Sequence, residues 1–424
     1  MNDLSWGRAG WVAAVLIGHF GLHIAIINRS GGLGLDYRLV KVISRLVAIT
    51  SLVIPWWAAQ EIGSQILTRS GSMAVPIGWS VYGAVCLAVW VIFGIPWLLS
   101  RPLLGIGQVA ARREVEVVRL GRGDSGRYTL TRRAAWLAKA PLNQMLELAV
   151  EKIELPVVGL PEGLDGYRIA HLSDLHFTGD LAAAWTAEAV ARANAFGPDL
   201  MALTGDIIDA PHCLRWLDEA LGHAEARDGC YFILGNHDVR RVVPQGVRDE
   251  IVRLGWIDVG GRGVSVDLSG RVGGGGEAVG RGDDRAVKVP AMIFGNEAPW
   301  HPPPVVDITS AGGANFGGSA AALRCAAASG VGPFRLLLSH SPDQIGWARR
   351  RGMLLMLAGH THGGQGRLPL IGPVLSPSLH GTRYASGDFY EPPTTMHVTR
   401  GLGASRLVRI GCRPELSLLT LRTG

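Results

Sequence analysis

The run Gly359-His360-Thr361-His362-Gly363-Gly364-Gln365 constrains this chain more than any other feature, because four earlier polar clusters complete it. They are Asp174-Leu175-His176, Gly205-Asp206, Gly235-Asn236-His237-Asp238 and Ser339-His340-Ser341-Pro342-Asp343. Each cluster closes a short apolar run that reads as a buried strand: Tyr167 to Leu172, Asp199 to Leu203, Cys230 to Leu234, Phe334 to Leu338 and Leu354 to Ala358. Side chains at the C-terminal ends of successive strands of an open α/β sheet converge on one crevice. The spacing therefore predicts a single pocket rich in oxygen and nitrogen.

The residue types narrow what such a pocket can hold. Aspartate, histidine and asparagine suit borderline-hard divalent ions such as Mn²⁺, Fe²⁺ or Zn²⁺, whereas an all-oxygen set favours Mg²⁺ or Ca²⁺ and thiolates favour structural zinc. Cysteine is absent from every cluster. Asp174-x-His176 or His360-x-His362 alone would more often be ordinary polar residues than ligands. Their order, with each cluster behind a strand, reverses that balance. His171 reads as strand packing or support for the pocket, and Asp209 as part of the turn after Asp206.

Five motifs in this order resemble the calcineurin-like metallophosphoesterase superfamily. The His-Thr-His-Gly-Gly-Gln form is similar to its membrane-associated bacterial phosphodiesterase subgroup, which includes UDP-2,3-diacylglucosamine pyrophosphatases. The resemblance covers residues from about 150 to 424. It implies an α/β fold, a four-layer β-sandwich of two mixed sheets flanked by helices, and two divalent metal ions, Mn²⁺ first and Fe²⁺ or Zn²⁺ as alternatives. It also implies that Asp174, His176, Asp206 and His362 hold one ion, that Asp206, Asn236, His340 and His360 hold the other, and that Asp206 bridges them. His237 matches the family histidine that stays off the metals and contacts the phosphate or protonates the leaving oxygen, with Asp238 expected to orient it. The C-terminal run Met396 to Gly403, followed by Arg413-Pro414-Glu415-Leu416, resembles the same subgroup. Arg400 there is assigned with equal weight to substrate phosphate or to a structural ion pair, and Arg383 and Tyr384 are weaker candidates.

The first hundred residues are unlike the rest: apolar, poor in acids and rich in tryptophan. Three segments are long enough to span roughly 30 Å of hydrocarbon as helices. They are Trp11 to Ile27, Leu46 to Ala59 with neighbouring residues needed for length, and Met73 to Leu99. Trp56, Trp57, Trp79 and Trp97 near the span ends read as interfacial anchors. A signal peptide competes for the first segment. One basic residue before it, no Ala-x-Ala exit and two further spans favour an anchor. His19 and His23, four apart on one face of the first span, read as helix packing or a polar contact in preference to a haem or metal site.

Charge beside the spans predicts the topology of a multi-pass inner (cytoplasmic) membrane protein. The first loop carries Arg29, Arg38, Lys41 and Arg45, the second only Arg69, and Leu99 is followed by Arg101, Arg112, Arg113, Arg119 and Arg122. Positive-inside then places the first loop and the catalytic region in the cytoplasm. A net charge of +6 is accounted for by this basic juxtamembrane stretch meeting anionic membrane lipid, and no nucleic-acid module accompanies it. Five scattered cysteines form no CxxC pair and are compatible with a reducing compartment.

The resulting division is a transmembrane region over 1–100, a basic connector over 101–147 and a catalytic domain over 148–424. Thr131-Arg132-Arg133 is similar to the twin-arginine motif of some relatives but reads here as a vestige or a juxtamembrane helix. The glycine-rich Gly260 to Asp284 reads as a flexible surface insertion rather than a phosphate loop, since no Gly-Lys-Ser/Thr follows. The function implied is a membrane-anchored hydrolase of phosphodiester or pyrophosphate bonds in a lipid-linked or nucleotide-linked substrate, with UDP-2,3-diacylglucosamine in lipid A synthesis as the specific form. A broad phosphodiesterase acting on glycerophosphodiesters or nucleotides and an inactive membrane sensor or scaffold are the alternatives.

Overall fold

A computed structural model describes residues 6–67, 75–99, 108–109, 111–121, 125–272, 285–305, 332–403 and 406–424. The chain divides into two compact units: Met1–Ile106 with Leu368–Arg383, and Gly107–Arg367 with Tyr384–Gly424.

The first unit contains helices α1 (Trp6–Gly32), α2 (Tyr37–Leu67) and α3 (Ile77–Val89), the last continuing through a wider turn at Trp90–Gly94 to Leu98. Within them Gly10–Gly32, Tyr37–Gly63 and Ile77–Leu98 are long and apolar enough to cross a membrane. The weak second segment reaches length because the helix runs on at both ends. The wider turn ends two residues before Pro96 and contains Ile92, whose carbonyl the proline ring could not sit against in a regular helix. Buried polar groups are satisfied between helices, since hydrocarbon offers no partners. The rings of His19 and His23 bond Tyr82 Oη, Ser51 O and Thr50 Oγ1, which makes the pair a polar contact between spans. Trp57 and Trp79 both donate to Glu61 at a span end. The loop around Arg69 lies outside the described residues.

The second unit is a sandwich of two mixed sheets. One has the order β1-β2-β15-β3-β4-β5-β6, built from β1 (Arg112–Arg119), β2 (Glu147–Val157), β3 (Arg168–Leu172), β4 (Leu200–Thr204), β5 (Cys230–Ile233), β6 (Ile257–Asp258) and β15 (Glu415–Thr423). The other has the order β13-β14-β10-β9-β8-β7, from β7 (Gly263–Val272), β8 (Arg285–Asn296), β9 (Phe334–Ser339), β10 (Leu355–Ala358), β13 (Gly387–Glu391) and β14 (Thr394–Val398). A small ribbon pairs β11 (Arg367–Leu368) with β12 (Gly372–Pro373). The strands that precede the polar clusters, β3, β4 and β5 in one sheet and β9 and β10 in the other, run parallel to their neighbours in that set. All five clusters therefore leave the sandwich at one end.

Alternation along each strand builds the layers. Ile169, Leu200, Tyr231, Leu336, Leu338, Leu355 and Leu357 point between the sheets. Leu172, Met201, Leu203 and Phe232 face the helix Ala183–Phe196 and its neighbours, while Leu337, Met356 and Ala358 pack beneath the helix Ile345–Arg350. Helix, sheet, sheet and helix make four layers.

Two stretches behave differently from their sequence reading. The 101–147 connector supplies β1, which pairs with β2 from Arg112↔Glu154 to Arg119↔Glu147, so it enters the catalytic sheet. Thr131 there caps the helix Arg132–Ala138 by accepting from Ala134 N. The Gly260 to Asp284 insertion begins as β7, an edge strand fully paired with β8, because Val264, Val266 and Leu268 alternate toward the core. Its glycine run, 273–284, lies outside the described residues.

Candidate metal centre

Three of the five strands, β3, β4 and β10, end by forcing their polar residues into an unusual backbone shape. Asp174, His176, Asp206, His360 and His362 have φ of 53°, 48°, 54°, 70° and 51°. Left-handed conformations of this kind cost about 1–3 kcal/mol each and persist only where surrounding contacts over-determine them. Those contacts are present. Asp174 N donates to Gly205 O (2.9 Å), His176 N to Asp206 O (3.0 Å), His237 N to Asp206 Oδ1 (2.8 Å) and His360 N to Asp174 Oδ2 (3.0 Å). Gly235 is required beside them: a Cβ there would sit 2.2 Å from Asp206 Oδ1.

The result is two touching clusters. In one, His176 Nε2 lies 3.0 Å from His362 Nε2 and 3.8 Å from Asp174 Oδ1, with His362 Nε2 3.5 Å from the same oxygen. In the other, His340 Nε2 is 3.1 Å from His360 Nδ1 and 3.3 Å from Asn236 Oδ1. Asp206 Oδ2 joins them, 3.6 Å from His176 Nε2 and 3.3 Å from His340 Nε2. Asp174, His176 and His362, and likewise Asp206, His340 and His360, bring a donor atom apiece within 4.8 Å of one another.

The far side of each ring decides what these nitrogens offer. His176 Nδ1 faces Asp209 Oδ1 (3.1 Å) and His340 Nδ1 faces Thr204 O (2.7 Å), and neither oxygen can donate a proton. Both rings therefore carry a proton on Nδ1 and, when neutral, turn a lone pair at Nε2 into the crevice, as metal-binding imidazoles do. Electrostatics point the same way. Burial pushes the Asp206 carboxyl up, but the imidazoles of His340, His237 and His176 outweigh it and hold the group well below its ordinary value. Burial opposes charge on His340, yet the Asp206 and Asp174 carboxylates push its pKa up to about 9. Burial holds His360 and His362 well down, so they offer neutral nitrogens. A divalent cation would take the place of the His340 proton. The donor set fits two such ions.

His237 stands beside the clusters, its Nε2 4.0 Å from Asp206 Oδ2 and its side chain still 18% exposed. Its orienting partner differs from the sequence reading. Asp238 does not touch the ring: its carboxylate accepts from the backbone N–H groups of Ile207, Ile208 and Gly235 and locks the β4 and β5 loops together. Burial and the Asp206 charge push its pKa up to about 7 against those donors. Asp209 takes the orienting role, with Oδ1 2.7 Å from His237 Nδ1 and shared with His176. Those two hydrogen bonds hold the Asp209 carboxyl well below its ordinary range despite burial.

Several other residues also find their places. Trp300 lies against the second cluster, 5.0 Å from the His360 ring and 5.4 Å from His340. Glu297 accepts from Leu234 N (2.6 Å) and pairs with Arg248, bracing the turn that carries Asn236. Arg400 is structural, largely shielded from solvent and paired with Glu151 and Glu415. Arg409, fully buried, donates to the carbonyls of His362 and Arg400 and braces the His362 turn from below. His171 bonds Thr204 Oγ1 and packs on His397 between the sheets. Nothing in the local sequence around Trp300 or Arg409 marks them, whereas Asp209, three residues after Asp206, reads from sequence only as part of the turn there.

Residues 167–364 match the family described as calcineurin-like phosphoesterase. The chain carries a calcineurin-like metallophosphoesterase domain. It is a metal-dependent phosphoesterase in a membrane protein. It is 28% identical over 268 residues to the uncharacterized metallophosphoesterase YkuE of Bacillus subtilis (strain 168), covering 62% of this chain and 82% of that protein. It is 41% identical over 87 residues to phosphodiesterase YaeI of Escherichia coli (strain K12), covering 20% of this chain and 32% of that one. A transmembrane protein with metallophosphoesterase domain from Danio rerio is 38% identical over 90 residues, 21% of each chain.

Proposed function

We propose that this metallophosphoesterase is a two-metal phosphohydrolase of the inner membrane, cleaving a phosphodiester or pyrophosphate bond in a lipid-linked or nucleotide-linked substrate. One observation carries the reading: a single oxygen, Asp206 Oδ2, faces both histidine clusters. Asp174, His176, Asp206 and His362 would hold one ion and Asp206, Asn236, His340 and His360 the other. Bound there, two divalent ions supply acidified water and offset the charge that builds on the phosphoryl oxygens.

The protein's own residues do the rest. His237, its Nδ1 hydrogen-bonded to Asp209, gives a proton from Nε2 to the leaving oxygen and recovers it from solvent along its exposed edge. Asp209 fixes the orientation of the ring, so that Nε2 faces the crevice. The retained His237–Asp209 pair beside a full ligand set favours an enzyme over an inactive sensor.

Mn²⁺ is the proposed ion and the cytoplasm the proposed side, the latter resting on charge asymmetry beside the spans. The specific substrate proposed is UDP-2,3-diacylglucosamine of lipid A synthesis, whose acyl chains would stay in the bilayer. The alternative is a broad phosphodiesterase, in keeping with the name of the E. coli relative, phosphodiesterase YaeI. The test follows UMP release by detergent-purified, Mn²⁺-loaded enzyme, with His237→Ala as control. Release above that control supports the lipid-precursor reading. Cleavage of a simple chromogenic diester without UMP release leaves the broad phosphodiesterase.

A further inference from the structure

Residues 368–383 follow the His360–His362 turn in sequence, yet they belong to the membrane unit. Their attachment is specific. The Asn28 amide near the end of α1 donates to Val374 O (3.1 Å) and accepts from Ser376 N (2.8 Å), and Trp97 Nε1 donates to Thr382 Oγ1 (2.7 Å). Gly31 is required for the fit, because a Cβ there would meet Pro377 Cβ at 2.6 Å. The same segment exposes Leu368, Leu370, Ile371, Leu375 and Leu379, a density of uncovered apolar side chains that water does not tolerate at low cost.

Within this unit a cavity of about 1110 Å³ lies between α1, the end of the third span and the segment 368–383. Its wall is carbon almost throughout, with Ile17, Gly21 and Ile24 from α1, Phe93 from the third span, and Ile371 and Val374 from the segment. Ile17 and Phe93 remain 46% and 65% exposed, so the cavity is open to its surroundings. Water is a poor occupant, since it needs two to four polar partners. Hydrocarbon is the solvent at hand, because the cavity is built on membrane-length helices.

Length and charge specify the occupant further. From Leu16 to Asn28 the lining of α1 rises roughly 18 Å, close to the ~15 Å depth of one leaflet. Arg29, exposed at the end of α1, lines the far end. A cation at the end of a leaflet-deep apolar slot suits an anionic lipid: chain along the helix, phosphate at the guanidinium.

We propose that the membrane unit binds an acyl chain of a phosphate-bearing membrane lipid in this cavity, with the lipid phosphate at Arg29 and residues 368–383 as the wall that closes over it. The proposal rests on the lipid-directed reading of the metal centre in one respect only, that the lipid held here is of the class hydrolysed.

The test uses the full chain in phosphatidylcholine nanodiscs doped with phosphatidic acid carrying a diazirine in one acyl chain, and maps the adducts by mass spectrometry after irradiation. Adducts should concentrate on Ile17, Ile24, Ile371 and Val374 over the lipid-facing Leu52 and Val53. A Cβ at Gly21 or at Gly10 would meet nothing within 4 Å, so both sites accept a larger residue, but only Gly21 lines the cavity. G21F should lower the cavity adducts roughly tenfold and leave those at Leu52 unchanged, while G10F changes neither. R29Q should weaken labelling by phosphatidic acid and not by the matching diazirine diacylglycerol. Adducts as dense at Leu52 and Val53 as in the cavity overturn the proposal, as does labelling that G21F does not reduce. Protein–protein adducts at Ile17 would make a second copy the occupant and overturn it too. Should G21F fail to fold, the wild-type map alone decides. Labelling needs no turnover, so a soluble true substrate would leave the lipid site standing, and absent labelling with intact UMP release would leave the metal centre standing.

Discussion

His19 in the membrane unit and His340 in the catalytic unit are about equally buried, at 1% and 0% exposure, and differ in what their ring nitrogens meet. Both nitrogens of His19 have one partner apiece, Tyr82 Oη and Ser51 O. His340 spends one nitrogen on Thr204 O and turns the other toward Asp206 Oδ2, Asn236 Oδ1 and His360 Nδ1 together, all between 3.1 and 3.3 Å. Burial of a histidine therefore signals little, since a buried polar group must find a partner in either unit. Convergence of several donor atoms on one nitrogen is what separates a site from a satisfied helix contact. The backbone agrees: five of the converging residues hold positive φ, whereas α1 around His19 is regular helix.

Substitutions can break this contrast in order of expected size. Asp206→Asn should reduce metal content below one ion per chain and turnover by on the order of 10³-fold or more, because it removes the shared carboxylate. Elemental analysis beside a diesterase assay checks it, and two ions with near-normal activity would reject the bridge. His237→Ala should keep both ions and lower kcat by ~10²–10⁴-fold. Losing an ion instead would move His237 into the ligand set.

Asp209→Asn separates the two aspartates near that histidine. Removing the shared carboxylate charge should cost ~10–100-fold in activity or metal affinity. Asp238→Asn should chiefly lower stability, by about 1–3 kcal/mol, because its carboxylate serves three buried N–H groups. Thermal unfolding and kcat measured on both variants distinguish these outcomes; a kcat loss for Asp238→Asn equal to that for Asp209→Asn would restore Asp238 as the orienting residue. The smallest effect is expected in the membrane. His23→Leu removes one contact between helices, to Thr50, and one within α1, to the His19 carbonyl, and should change stability by only ~0.6 kcal/mol, with no change in hydrolysis of a soluble diester. A large activity loss there would show that the membrane histidines are more than packing.

The four-layer sandwich and the three membrane-length helices were legible because both are written as periodic patterns: short apolar runs ended by polar clusters, and long apolar stretches flanked by arginine and tryptophan. The converging side chains were legible for a related reason, since each sits at the end of its own strand and parallel strands bring their ends together. What those chains do with their other atoms was not legible. Asp209 rather than Asp238 reaches His237 because the turn after β4 folds back beside the turn after β5, and no spacing in the chain records that. The ion pairs of Arg400 with Glu151 and Glu415 depend on β2 and β15 lying side by side, though more than 250 residues separate the strands in sequence. The attachment of residues 368–383 to the membrane unit depends on contacts such as the Asn28 amide meeting backbone that lies about 350 residues further along. Local periodicity determines which face of an element is apolar and where it ends. Which distant polar atoms then meet is decided by the packing of those elements, where a shift of one residue changes every partner.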